Sequence, residues 1–88
     1  MKQYKMLVRE FLAGYTEAFR KTQGLTQDKM AEALHITSRA YGDLERGKYC
    51  FSAIALLFFL LTLSDDELKA FLEGFRKRAY DLEHKEAA

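Results

Sequence analysis

Through the first quarter of the chain apolar residues recur at intervals of three and four: Tyr4, Leu7, Val8, Phe11, Leu12, Tyr15, Ala18 and Phe19. That spacing lays one face along a helix and predicts one over residues 3–22. Gly24, free to adopt positive φ, ends it. Thr26 is placed to cap a short second helix, with Asp28 beside the positive end of its dipole and Met30, Ala31 and Leu34 as its buried stripe. His35 and Ile36 make a tight connection. Thr37 then caps a third helix that runs through Glu45, buries Ala40, Tyr41 and Leu44, and closes at Gly47. After a turn at residues 48–51, Ser52 caps SAIALLFFLLTL. A helix apolar all round is expected to be buried all round, partly in the core and partly against a second subunit. Ser64-Asp-Asp-Glu67 is a capping box that opens a last helix, with Leu68, Phe71, Leu72, Phe75, Ala79 and Leu82 along one side. So apolar a stripe does not stay in water, and intrachain packing and dimerisation serve it equally well.

Composition agrees with an all-α fold. There is no proline, the five glycines are scattered singly, and β-branched residues are few. Eighty-eight residues make one domain, 1–88, of modest monomer stability, and an apolar content of 49% leans toward oligomerisation. The apolar run of residues 53–61 is far shorter than the roughly 20 residues that span a bilayer, so no membrane partner is expected. The MKQYK start leads into a mixed polar and apolar segment, unlike a secretory signal. Cys50 stands alone and fits a reducing, cytoplasmic setting, most simply as a semi-buried thiol. Cys50, His35 and His84 lack metal-ligand spacing, so neither metal nor cofactor is expected. No nucleophile–base pair, paired carboxylates or phosphate-cradling glycine loop argues for an enzyme.

Net charge is only +1, but its distribution is uneven. Residues 20–48 hold six basic and four acidic side chains, and residues 64–88 hold five and seven. A nucleic acid would therefore meet the middle of the chain.

Two short helices joined by a three-residue turn, the second opening on a threonine cap, form the helix-turn-helix pattern. LTQDKMAEALHITSRAYGDLERGKYCFS resembles that element in the lambda-repressor-like family, the Cro/cI or XRE type. The matching features are the Leu-Thr-Gln opening, Ala31, Ile36-Thr37 in the turn, Glu45-Arg46-Gly47, and Ser52 opening the next helix. The resemblance covers about residues 15–63 and does not prescribe the C-terminal helix, 64–86; with the long first helix and that extra helix, the expected whole is a compact five-helix lambda-repressor-like domain. His35 stands where the family usually has a glycine of positive φ, Tyr41 replaces a branched aliphatic residue, and Phe51 a common proline.

The resemblance also implies roles. Arg20 and Glu45 would form a structural ion pair that locks the third helix onto the first. Base-reading residues would be Ser38, Arg39, Gly42 and Asp43, with Arg39 foremost because arginine pairs bidentately with guanine. Gly42 would let the helix backbone approach the groove floor. Asp43 would accept from cytosine N4, pair with Arg39, or sit solvated. Gln27, Arg46, Lys48 and Tyr49 would touch phosphates. The expected function is a sequence-specific DNA-binding transcriptional regulator, by default a repressor, acting on double-stranded DNA as a homodimer at a near-palindromic operator. The alternative is a protein-interaction module, of antitoxin or anti-repressor type, whose DNA binding is weak or lost.

Overall fold

The computed structural model describes residues 2–87 and contains five helices: α1 (Lys2–Thr22), α2 (Gln27–Ala33), α3 (Ser38–Glu45), α4 (Ala53–Leu61) and α5 (Asp65–Ala87). No strand occurs among the described residues. Each boundary has a local cause. Thr26 Oγ1 accepts from the Lys29 N–H, Thr37 Oγ1 from Ala40 and Ser52 Oγ from Ala55, each at 3.1 Å. Ser64 and Glu67 exchange bonds reciprocally, the Glu67 carboxylate accepting from the Ser64 N–H at 2.8 Å and Ser64 Oγ from the Glu67 N–H at 3.1 Å. Gly24 and Gly47 take φ of 69° and 74°, which stop α1 and α3 without a Cβ clash.

The core joins all five helices through Phe11 and Leu12 of α1, Met30 and Ala31 of α2 with the adjoining Leu34, Tyr41 of α3, Phe59 of α4 and Phe71 of α5. Aromatic rings bind α5 to the rest. Phe71 lies 4.9 Å from Tyr15 and 5.3 Å from Phe11, and Phe75 lies 5.4 Å from Phe11. The Arg78 guanidinium sits 5.6 Å from the Phe11 ring centroid. Residues 11 and 15 therefore meet residues 78 to 71 in descending order, which makes α5 run antiparallel along α1. The C-terminal helix packs within the chain.

Several expectations change. Thr16 is the buried polar residue of α1, and its hydroxyl is satisfied by donating to the Leu12 carbonyl at 2.7 Å. Ala18 is exposed, and Ala40 is half-buried, not buried. Leu72 is exposed although its neighbours on the α5 stripe are not. Cys50 is exposed rather than semi-buried. The largest departure is α4. Ala55 and Phe59 are buried, but Ile54, Leu57 and Leu61 on the opposite face are 68%, 61% and 77% exposed.

Candidate nucleic-acid interface

The turn between α2 and α3 is fixed by backbone geometry. His35 takes φ 60°, a conformation that disfavours any residue with a Cβ. In return its N–H bonds the Glu32 carbonyl at 3.1 Å, and Ile36 N–H bonds Ala31 at 3.0 Å, closing α2. The imidazole packs at 4.2 Å, centroid to centroid, on Phe58 of α4. Ala31, almost fully buried, lets α2 lie close against α3.

A polar lock then holds α3 to α1. Arg20 grips Glu45 with both arms of its guanidinium, Nε and Nη2 each donating at 2.8 Å to a different carboxylate oxygen. Its remaining arm donates to the Leu25 carbonyl at 3.0 Å, and Gln27 Nε2 donates to Glu45 at 3.1 Å. The two charged side chains are 13% and 3% exposed. Burial alone would raise the Glu45 carboxyl. The hydrogen bonds from Arg20 and Gln27, with the Tyr41 hydroxyl close by, outweigh it and hold the group at about 2. Burial, with the Glu45 charge added, pushes the Tyr41 phenol well above its usual range. That hydroxyl is buried next to Glu45 yet makes no hydrogen bond of good geometry. The expected Arg20–Glu45 pair is therefore formed. Gln27 as its third member was not foreseen, because a residue eighteen positions away gives no spacing signal.

The outward side of α3 differs from expectation in two of its four residues. Ser38 and Arg39 are exposed, and among the described residues Arg39 has no hydrogen bond or ion pair. Gly42 is buried. A Cβ built there would stand 3.3 Å from Arg46 Nη1 and 3.8 Å from Gln27 Oε1, so these two side chains cover the glycine. Gly42 thus makes room for the Arg46 guanidinium instead of bringing the backbone toward a groove floor. Asp43 is also turned away, its side chain only 13% exposed, and it pairs with Arg46 three residues on, not with Arg39. The i, i+3 spacing of Asp43 and Arg46 is legible in the sequence and could have suggested the pair. The candidate base-reading ridge narrows to Ser38 and Arg39.

Around that ridge lie further polar groups. Arg46 is 65% exposed despite its partner. Gln27, Lys48 and Tyr49 are exposed, and the Lys48 ammonium rests 5.5 Å from the Tyr49 ring centroid. Three cations, Arg39, Arg46 and Lys48, are thus available from α3 and the loop that leaves it. Among the described residues no three His, Cys, Asp or Glu side chains converge as a metal site, and no helix is long and apolar enough to cross a membrane.

Comparison with known proteins gives one result. The helix-turn-helix family model matches residues 17–58. No curated protein and no solved structure matches the chain. The matched span begins in the second half of α1, takes in Arg20, both short helices and the Glu45 lock, and ends within α4. Residues 17–58 thus match a helix-turn-helix of the Cro/cI, XRE-like type, and that match suggests a DNA-binding transcriptional regulator.

Proposed function

We propose that the protein is a sequence-specific transcriptional regulator that places α3 in the major groove of double-stranded DNA and acts as a homodimer. The observation that carries this reading is the exposed Arg39 beside Ser38, without a hydrogen bond or ion pair among the described residues, on a helix held rigid by the Arg20–Glu45 lock. A guanidinium with no internal partner is available for the O6 and N7 of guanine, and Ser38 for a neighbouring base edge. Lys48, Tyr49, Gln27 and Arg46 supply phosphate contacts that set the register without reading sequence. Arg46 would exchange Asp43 for a phosphate, and Asp43 would then lie beside the groove wall as a deterrent to incorrect registers. Two copies related by a two-fold axis require a near-palindromic site with half-sites about one helical turn apart. A dimer seated over a promoter blocks polymerase, so the role is repression, in the cytoplasm.

One observation favours a second reading, a protein-interaction module. The Asp43–Arg46 pair neutralises part of the α3 surface, while Ile54, Leu57 and Leu61 offer an apolar face to a partner. A gel shift against the gene's own upstream DNA over a salt series separates the two. The regulator reading expects a shift at low salt whose affinity falls steeply as salt rises, with a shallower slope for Lys48→Ala. No shift at low salt would favour the interaction module.

A further inference from the structure

We infer that the exposed face of α4 is the surface on which two copies of this chain meet, antiparallel, across a two-fold axis at Leu57. Resting on the homodimer reading above, the inference names the residues that make the dimer. α4 has the sequence AIALLFFLL and carries no charge and no polar side chain. Its buried residues, Ala55 and Phe59, point into the core, and Ile54, Leu57 and Leu61 form a ridge on the other side. Spacings of three and four keep that ridge on one face of the helix.

The occupant follows from chemistry and symmetry. A two-fold interface presents the same patch from both sides, so a charged patch would face its own charge. The α4 ridge escapes that penalty because it has no charge to repel. Laid antiparallel on its copy, Ile54 of one chain packs against Leu61 of the other, and Leu57 meets Leu57 at the axis. The outer face of α5 is the competing surface. There Leu72, Phe75, Ala79 and Tyr80 line a groove, but Arg76 and Glu83 stand in it. Leu72 and Tyr80 are also less exposed, at 49% and 58%.

Position supports the same choice. The start of α4 lies against α3: Ala40, Asp43 and Leu44 share a hollow with Ser52 and Ala55. A dimer through α4 therefore fixes two α3 helices directly relative to one another, with no long lever between interface and reading head.

Area sets the strength. The three ridge residues expose on the order of 400 Å² per chain, as large as the largest apolar patch usually left on a monomer. Two copies then bury on the order of 800 Å², below the roughly 1,200–2,000 Å² of a stable interface. The dimer is accordingly weak in free solution and completed when both copies share one duplex.

Sedimentation of the full chain without DNA, over a concentration series, tests this. Wild type should pass from monomer to dimer as concentration rises. Leu57→Glu should remain monomeric while its thermal unfolding and helical signal match wild type, because position 57 is exposed. In a Cys50→Ser background, Leu57→Cys should form a covalent dimer on copper–phenanthroline oxidation, and Leu72→Cys should not. A Leu57→Glu protein that dimerises like wild type, or cross-linking at Leu72→Cys but not at Leu57→Cys, would overturn the proposal. A wild type that stays monomeric throughout would overturn it as well. Because no DNA is present, a wild type that dimerises through Leu57 yet fails to bind any duplex would defeat the regulator reading alone.

Discussion

Glu45 concentrates much of the local energetics in one carboxylate. It accepts from Arg20 and Gln27, lies beside the Tyr41 hydroxyl, and is almost wholly removed from water. Its folded value of about 2 lies below the ordinary 4.5. A carboxyl depressed by folding stabilises the native state above its unfolded value, and that stabilisation is lost as pH falls through the folded one. The protein should therefore lose about 2–3 kcal/mol from this group between about pH 4.5 and 2. Urea unfolding at a series of pH values checks it: Glu45→Gln should be less stable than wild type at pH 7, and the difference should shrink on acidification. An unchanged gap would mean that the carboxylate charge is not what the lock uses. Gly42 gives a second test. Alanine is favoured over glycine in a helix by up to about 1 kcal/mol. The new Cβ would press on Arg46 Nη1, the end of a flexible and largely exposed side chain that can swing aside. Gly42→Ala should thus raise the melting temperature by a few degrees; a fall would mean that Arg46 is held more firmly than its exposure implies.

At the scale of the helix, much was legible in advance. Thr26, Thr37, Ser52 and Ser64 could be picked out as caps because a hydroxyl before an apolar periodic run has one obvious use. All four cap in the structure. Gly24 and Gly47 were legible for a similar reason, as glycines where the helical pattern breaks, whereas the positive φ of His35 was implied by the family resemblance. The side that α4 buries was not legible. Nine apolar residues in succession have no amphipathic phase, so only the position of α1, α3 and α5 selects Ala55 and Phe59 for the core. The surroundings of Gly42 and Asp43 were not legible for another reason. The helical wheel puts both on the outward face, but Arg46 folds back from the end of α3 and covers them. The i, i+3 spacing allows the Asp43–Arg46 pair but does not say that it forms in preference to the i, i+4 pair of Arg39 and Asp43. One consequence concerns Thr37, whose hydroxyl holds the first turn of α3 beside Ser38 and Arg39. Thr37→Ala should cost about 1 kcal/mol in chemical denaturation and fray that turn. A Thr37→Ser variant, which keeps the oxygen, should restore most of the loss.

For the molecule as a whole, the parts divide the work. The aromatic cluster of Phe11, Tyr15, Phe59 and Phe71 ties α1, α4 and α5 into one core, and the Arg20–Glu45 lock ties α3 to it. The polar ridge of Ser38 and Arg39 and the apolar ridge of α4 stand outside these ties, as does the outer groove of α5. The regulator account assigns the first to DNA and the second to a second copy. Its central claim is that Arg39 reads sequence while the surrounding cations only hold the backbone. The direct test is to select a duplex from a random library with the wild-type protein, then titrate that duplex and a scrambled one by fluorescence anisotropy with wild type and Arg39→Ala. The account predicts that wild type prefers the selected duplex, and that Arg39→Ala loses about 1–3 kcal/mol of this preference while keeping the salt-dependent affinity common to both. If Arg39→Ala kept the full preference, or wild type bound the two duplexes equally at low salt, the claim would be contradicted.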